Sequence, residues 1–244
     1  MVYTSIDNEK IKGIKKLKQT KYRNMENKFI VEGEHLVMEA YKSGQLIELI
    51  LDEHSDFKLE VPTIYVTNTI LKQLSELENP QEMMGVCQKK ADASTLGSHI
   101  LILDGIQDPG NLGTIIRSAV AFNIDTIILS PDTVDLYNSK VIRASQGMLF
   151  HLNIISDDLI SIIHSLQTNN YLVYGTKVDG GKSINKLIKH DKFAIIVGNE
   201  GSGIKERILS LCDEYIYIDM NQNCESLNVG VAASIIMYEL DKLV

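Results

Sequence analysis

Three short segments in the second half of this 244-residue chain gather glycines and polar side chains where a plain fold would not need them. The first, residues 103–117, reads Leu-Asp-Gly-Ile-Gln-Asp-Pro-Gly-Asn-Leu-Gly-Thr-Ile-Ile-Arg. A strand is expected to end near Asp104, a turn to follow through Asp108-Pro-Gly, and a helix to start near Asn111. On that helix Leu112, Ile115, Ile116, Ala119 and Val120 form the buried stripe, while Gly110, Gly113 and Arg117 fall on another, at offsets of three and four. Nothing bulky then stands beside the guanidinium, and a phosphate or a sugar could approach it. The plain alternative is a surface arginine on an ordinary helix. Two glycines at a helix start cost about 1 kcal/mol each relative to alanine, which favours the functional reading.

The second segment, residues 195–204, reads Ile-Ile-Val-Gly-Asn-Glu-Gly-Ser-Gly-Ile. It is a buried strand running into a glycine turn with Glu200 inside it. Its Gly-x-x-Gly-x-Gly spacing is not the dinucleotide fingerprint and it follows a late strand. Glycines at 198 and 201 let a ligand approach the backbone and leave amides free as donors, so both are expected to keep a ligand's space open. In the third segment, Ile216–Met220 leads through Asn221–Cys224 into an apolar helix expected from Leu227 and buried against several partners. Ser226 suits the N-cap of that helix. Asn228 is a polar amide in the first turn of a buried helix and needs partners.

The elements that must position these residues fall into two patterns. Residues 1–92 read as a small mixed α/β domain, with helices near Ser5–Leu17, Gly33–Ser43 and Thr69–Leu77. Strands are expected near Ile47–Leu51, Thr63–Val66 and Gly85–Gln88. A polar join follows at Lys89–Ser98. From residue 98 to 244, short apolar runs at Ile100–Leu103, Thr126–Leu129, Leu152–Ile155, Tyr171–Tyr174, Ala194–Val197 and Tyr215–Ile218 alternate with helical stretches. That alternation predicts an α/β domain with a mostly parallel sheet and helices on both faces. Ligands on such sheets bind beyond the carboxyl ends of the strands.

Composition narrows the class. The chain is 44% hydrophobic, with four prolines, no tryptophan and three scattered cysteines, which excludes a disulfide framework and a cysteine metal site. No membrane span or signal peptide is expected, and a cytoplasmic location is. The net charge of −8 does not suggest a nucleic-acid binder, yet residues 10–23 hold seven basic side chains and no acidic one. Lys15, Lys16, Lys18, Lys21 and Arg23 in that segment are candidate phosphate contacts; a solvated helix face is the competing reading.

Taken in order, the three segments resemble the three motifs of the SpoU (TrmH-type) ribose 2′-O-methyltransferases of the SPOUT superfamily, over about residues 98–244. Leu17–Arg23 followed by Phe29–His35 resembles the substrate-binding domain attached to many rRNA members. The resemblance implies a trefoil knot in the second domain, an exception to the usual unknotted rule. It also implies a homodimer with its active site near the subunit interface, and S-adenosylmethionine as cofactor. The cofactor would lie in loops containing Thr176, Gly198, Asn199, Gly201, Ile218, Met220 and Leu227. Asn111, Arg117, Glu200, Ser226 and Asn228 match the family's polar active-site positions. Two departures are visible: Asp219 stands where proline is frequent, and Gly230 where serine is common.

The activity implied is methylation of a ribose 2′-hydroxyl in structured RNA, with 23S-type rRNA favoured over tRNA. A sulfonium is already an activated methyl donor, so no metal is called for, and alignment for in-line attack is the main task. The family's arginine has been proposed to help deprotonate the hydroxyl. A guanidinium keeps its proton at neutral pH, so Arg117 is better read as stabilising the forming alkoxide. Two other classes compete with this reading. A silent RNA-binding relative would lack Arg117 or the Asn228 segment, and a nicotinamide oxidoreductase would need Gly-x-Gly-x-x-Gly after the first strand of the sheet.

Overall fold

The computed structural model describes residues 2–91 and 95–243. Residues 92–94, inside the expected join, lie outside the described residues. The chain divides into two compact units, the first made of Met1–Ala91 and Asp135–Phe150, the second of Asp92–Val134 and His151–Val244.

The first unit begins β1 (Val2–Tyr3), α1 (Glu9–Lys16), α2 (Thr20–Glu26), β2 (Lys28–Glu32) and α3 (Glu34–Lys42), and continues β3 (Leu46–Asp52), β4 (Thr63–Val66), α4 (Asn68–Leu74) and β5 (Met83–Gln88). Its five-stranded sheet runs β1-β4-β3-β5-β2, with β5 antiparallel to both of its neighbours and the other pairs parallel. Ile11, Ile14 and Leu17 from the α1 side pack on Ile50, Ile64, Ile70 and Met84. Asn8 starts α1 by accepting a hydrogen bond from the Lys10 amide. The sequence reading lacked α2 and β2, which are separated only by Asn27 in the left-handed region.

The second unit carries β6 (His99–Asp104), α5 (Pro109–Ala121) and β7 (Thr126–Leu129); α6 (Ser139–Ser145) follows in the chain but belongs to the first unit. It resumes with β8 (Asn153–Ser156), α7 (Leu159–Thr168), β9 (Leu172–Thr176), β10 (Lys182–Ser183), β11 (Phe193–Gly198), α8 (Glu206–Leu209), β12 (Glu214–Tyr217) and α9 (Val229–Asp241). The sheet order is β10-β12-β9-β11-β6-β7-β8 and every pairing is parallel. β7 and β11 are buried throughout and β6 is buried except at His99, as a sheet covered on both faces requires. Gly198 pairs with Asp104, and Ile216 with Thr176, so four strands end close together. Among the described residues no helix is long and apolar enough to cross a membrane.

Assignment of all of residues 98–244 to one domain misses a detour. Asp135–Phe150 packs with the first unit: the Tyr137 and Phe150 rings lie 4.5 and 6.1 Å from the ring of Phe29, and Asp135 pairs with Arg23. Arg23 is only 5% exposed. Its guanidinium donates to Leu17 O at 3.0 Å, Lys18 O at 2.7 Å, Thr20 Oγ1 at 2.8 Å and, through Nε, Asp135 Oδ2 at 3.1 Å. The charge expected to meet phosphate is spent inside the fold. Sequence alone could not show it, because the partner stands 112 positions away.

Burial pushes the Asp135 carboxyl up, but the Arg23 hydrogen bond and charge, with the Tyr137 amide, outweigh it and hold the group below its ordinary value. A native value below the unfolded one means that the pair stabilises the fold above about pH 4. That contribution is lost as pH falls through the native value. Asp135→Asn is therefore expected to cost about 3 kcal/mol at pH 7, with the gap from wild type narrowing as pH falls below about 4. Urea unfolding across that pH series checks it; a constant gap at every pH would show that the charge of Asp135 is irrelevant.

Candidate active site

The loop after β11 is shaped by its own backbone. The Asn199 amide donates to Gly203 O at 3.0 Å and the Gly203 amide returns to Asn199 O at 2.9 Å. A Cβ on Gly198 would stand 2.1 Å from Gly203 C and Ile204 N, so the returning chain fills the place where a side chain would be. The Asn199 side chain closes the same loop. Its Oδ1 accepts from the Gly201 and Ser202 amides at 2.9 and 3.1 Å, and its Nδ2 donates to Gly105 O at 2.8 Å.

The loop aims Glu200 at the start of α5. Asp108 caps that helix, accepting from the Asn111 amide at 2.8 Å, with Pro109 in the first turn. Glu200 Oε1 accepts from Asn111 Nδ2 and the Asp108 amide, both at 3.1 Å, and Oε2 from the Gln107 amide at 3.3 Å. Burial raises the Glu200 carboxyl, but these hydrogen bonds prevail and hold it below the usual carboxylate value. It is thus a fixed negative charge at neutral pH and a weak base.

Asn228 completes the chain of contacts. Its Nδ2 donates to Asn111 Oδ1 at 2.9 Å, while its Oδ1 accepts from the Gly230 and Val231 amides at 2.9 and 3.3 Å. Asn228 is therefore the N-cap of α9, the role sequence reading gave to Ser226, and the helix starts two residues later than expected. Ser226 is exposed in the preceding loop, and its hydroxyl has no hydrogen-bond partner among the described residues. α9 is also less enclosed than its composition suggests, with Val231 and Tyr238 exposed.

Of the Asn111, Glu200 and Asn228 side chains, Glu200 lines a cleft of about 270 Å³ beyond the carboxyl ends of β9, β11 and β12. Thr176, Gly198, Asn199, Gly201, Ile218, Met220 and Leu227 all line it, together with Glu200 and Ser226. Apolar walls from Ile204, Ile218, Leu227 and Ile236 suit a flat aromatic ring, and the glycine backbone suits polar groups approaching closely. Asp219, between two residues that line the cleft, accepts from Ser183 Oγ and from Asn185 Nδ2, tying the loop after β12 to the β10 segment. That contact replaces the stiffness a proline would give.

Arg117 is not part of the cluster. It is exposed on α5 and makes no hydrogen bond or ion pair among the described residues. It stands six positions after Asn111, about 9 Å along the axis and about 240° around it. Gly113, expected on the same stripe, is buried instead. α5 lies parallel to α9: Thr114 meets Gly230, Ser118 Oγ lies 2.7 Å from Ser234 Oγ, and the Phe122 and Tyr238 rings stand 5.5 Å apart. A Cβ on Gly230 would come within 3.3 Å of Thr114 Cγ2, so glycine permits this close approach.

A further cluster was not foreseen. Asp104 is 1% exposed and accepts from Lys205 N and Nζ, both at 2.8 Å. Lys205 Nζ also reaches Asp132 Oδ2 at 2.7 Å. The available signal was a carboxylate ending an apolar strand, a group that must find a cation or donors when buried.

In the first unit the basic segment is largely engaged. Lys15 Nζ donates to Gln73 Oε1 at 2.8 Å, and Lys18 Nζ to Gln73 O and Ser75 O at 2.9 and 2.7 Å. Lys16 and Lys21 flank the Tyr22 ring, 5.6 and 5.9 Å from its centroid, and have no carboxylate partner among the described residues.

The two cleft glycines should therefore behave differently. Gly198→Ala forces the returning backbone apart and is expected to cost at least about 3 kcal/mol. Gly201→Ala meets only Asn199 Oδ1, at 3.7 Å, and should stay within about 0.5 kcal/mol of wild type. Urea denaturation of both variants decides this; equal stabilities would mean that the loop does not close as described.

Comparison with known proteins identifies the family. Residues 98–238 match the model of the SpoU rRNA Methylase family, and residues 8–85 match an MRM3-like substrate binding domain. The chain is 37% identical over 241 residues to the 23S rRNA (guanosine(2553)-2′-O)-methyltransferase RlmP of Bacillus subtilis, covering 97% of each chain. A crystal structure of an RNA 2′-O ribose methyltransferase superposes with a TM-score of 0.83 at 25% identity, covering 100% of this chain and 99% of that one. The SpoU methyltransferase AviRb from Streptomyces viridochromogenes, solved with AdoMet, gives a TM-score of 0.87 at 24% identity over 96% of this chain and 97% of that one. The chain belongs to the SpoU rRNA methylase family.

Proposed function

We propose that this protein transfers a methyl group from S-adenosylmethionine to a ribose 2′-hydroxyl of ribosomal RNA of the 23S type. The observation that carries the reading is the convergence of Asn111, Glu200 and Asn228, from three separate segments, with Glu200 lining a cleft on a SpoU sheet. The cofactor supplies a methyl already activated on sulfur. The chain's own residues hold and align. Thr176, Gly198, Asn199, Gly201, Ile218, Met220 and Leu227 border the space for the cofactor. Glu200, fixed as an anion, orients Asn111, and Asn111 orients Asn228. Ser226, at the cleft with an unengaged hydroxyl, is available to the ribose.

Arg117 works in this scheme as the cation that stabilises the forming alkoxide or grips the neighbouring phosphate. Its position suggests how. The packed pair of α5 and α9 leaves Arg117, Val231 and Tyr238 exposed. A homodimer formed on this helix pair would bury the two apolar side chains and carry Arg117 towards the Asn111–Glu200–Asn228 cluster of a second copy. The knotted threading that the resemblance implies, and a cytoplasmic location alongside the ribosomal substrate, belong to the same reading.

The test is transfer of labelled methyl to rRNA from cells lacking the gene, with mapping of the modified ribose. Arg117→Ala is expected to lower kcat by about 10²- to 10³-fold and leave S-adenosylhomocysteine affinity within about twofold, because Arg117 does not line the cleft. Wild-type turnover in that variant would remove the assigned role, and a loss of cofactor binding would place the arginine in the cofactor site instead.

A further inference from the structure

We infer that the first unit holds one unstacked nucleotide of the substrate RNA in the groove beside α1 and α2, its base on Tyr22 and its phosphates on Lys16 and Lys21. This rests on the RNA methyltransferase reading above and adds a specific contact to it. The groove has a volume of about 350 Å³, and Gly13, Lys16, Tyr22, Met25 and Lys28 line it. An aromatic face flanked by cations is what sequence-tolerant binding of single-stranded nucleic acid uses: stacking for the base and charge for the backbone.

Three observations point to an occupant. Lys16, Lys21 and Lys28 have no carboxylate partner among the described residues, whereas Lys10 in the same groove is paired with Glu48. Met25, on the groove's edge, is 69% exposed, a large apolar side chain left in water with the ring of Tyr22 nearby. Gly13 sits in the interior of α1, where glycine is the poorest residue after proline. Its φ is not positive, and a Cβ there would meet no atom within 4 Å. Nothing in the protein's own packing asks for glycine at that position; a ligand lying across the helix would. Glu26, a carboxylate in the groove with no ion pair among the described residues, can accept from a base amino group.

The variants Gly13→Leu, Tyr22→Ala, Tyr22→Phe and the pair Lys16→Gln/Lys21→Gln test this. Each is measured for filter binding and for methyl transfer to rRNA from cells lacking the gene. Gly13→Leu should melt no lower than wild type, since leucine is the better helix former, yet raise the KM for RNA about tenfold. Tyr22→Ala should do the same to KM, with kcat at saturating RNA unchanged, and Tyr22→Phe should restore wild-type behaviour. The lysine pair should flatten the slope of log affinity against log salt by about 0.7 to 0.9 for each phosphate no longer neutralised, and Tyr22→Ala should leave that slope alone. Wild-type KM in both Gly13→Leu and Tyr22→Ala would overturn the inference and leave the groove a solvated surface. Failure of the wild type itself to methylate any rRNA while binding S-adenosylhomocysteine would instead remove the functional reading; the binding assay still reports on the groove.

Discussion

A carboxylate buried at the end of an inner strand organises the catalytic unit. Asp104 sits at the end of β6 among apolar neighbours, and an ion there is tolerable only when paired and fully hydrogen-bonded. Lys205 answers with both its backbone and its side-chain nitrogen. Its ammonium also reaches Asp132, which accepts from Ser130 Oγ, and that same hydroxyl accepts from the Gly105 amide. Lys205 holds the Asp132 carboxyl below its ordinary value, and the two acids hold the lysine above its own. Three strand ends, those of β6, β7 and β11, are thereby tied at one point. The loop 199–203 must bulge between Gly198 and this anchored lysine, and the bulge is what delivers Glu200 to α5.

Beyond that anchor the site is built by short links rather than by one rigid element. Glu200 gathers the turn before α5 through two backbone amides, and Asn111 passes the constraint to Asn228. Asn228 serves two ends at once, capping α9 with its oxygen and meeting Asn111 with its nitrogen. An aspartate in its place would keep the cap and lose the donor, so the cap role alone does not account for the amide. The parallel pairing of α5 and α9 then sets the distance between the first and third segments, through small residues at Gly230, Ser118 and Ser234.

Much of this was legible in the chain. Strands buried on both faces show as short apolar runs, and the six runs in the second half each became a strand of the parallel sheet. The three chemical segments were visible because glycines and amides are costly where they stand. What escaped was anything fixed by distant partners. Arg23 reads as one more cation in a basic run until Asp135 is found against it. Gly198 reads as space for a ligand until the returning backbone is seen to occupy that space. Ser226 and Asn228 are both good cap residues two positions apart, and only the start of the backbone helix separates them. The two-residue β10 is too short to form a period, and α2 runs into β2 with only Asn27 between them, so neither period stands apart from the other.

The detour of Asp135–Phe150 has a consequence in time. Phe29 is fully buried, and two of the rings around it, from Tyr137 and Phe150, come from this later segment. During synthesis the first ninety residues leave the ribosome well before those rings exist, and Arg23 waits for its counter-ion equally long. The cluster of Ile11, Ile14, Ile50, Ile64, Ile70 and Met84 in the amino-terminal unit takes no residue from this later segment. The surroundings of Phe29 and Arg23, by contrast, are complete only after β6, α5 and β7 have been made. Cutting the chain at the join would separate neither unit cleanly, because the remainder would keep a strip whose buried Val141, Ile142 and Phe150 had been stripped of the surface they cover.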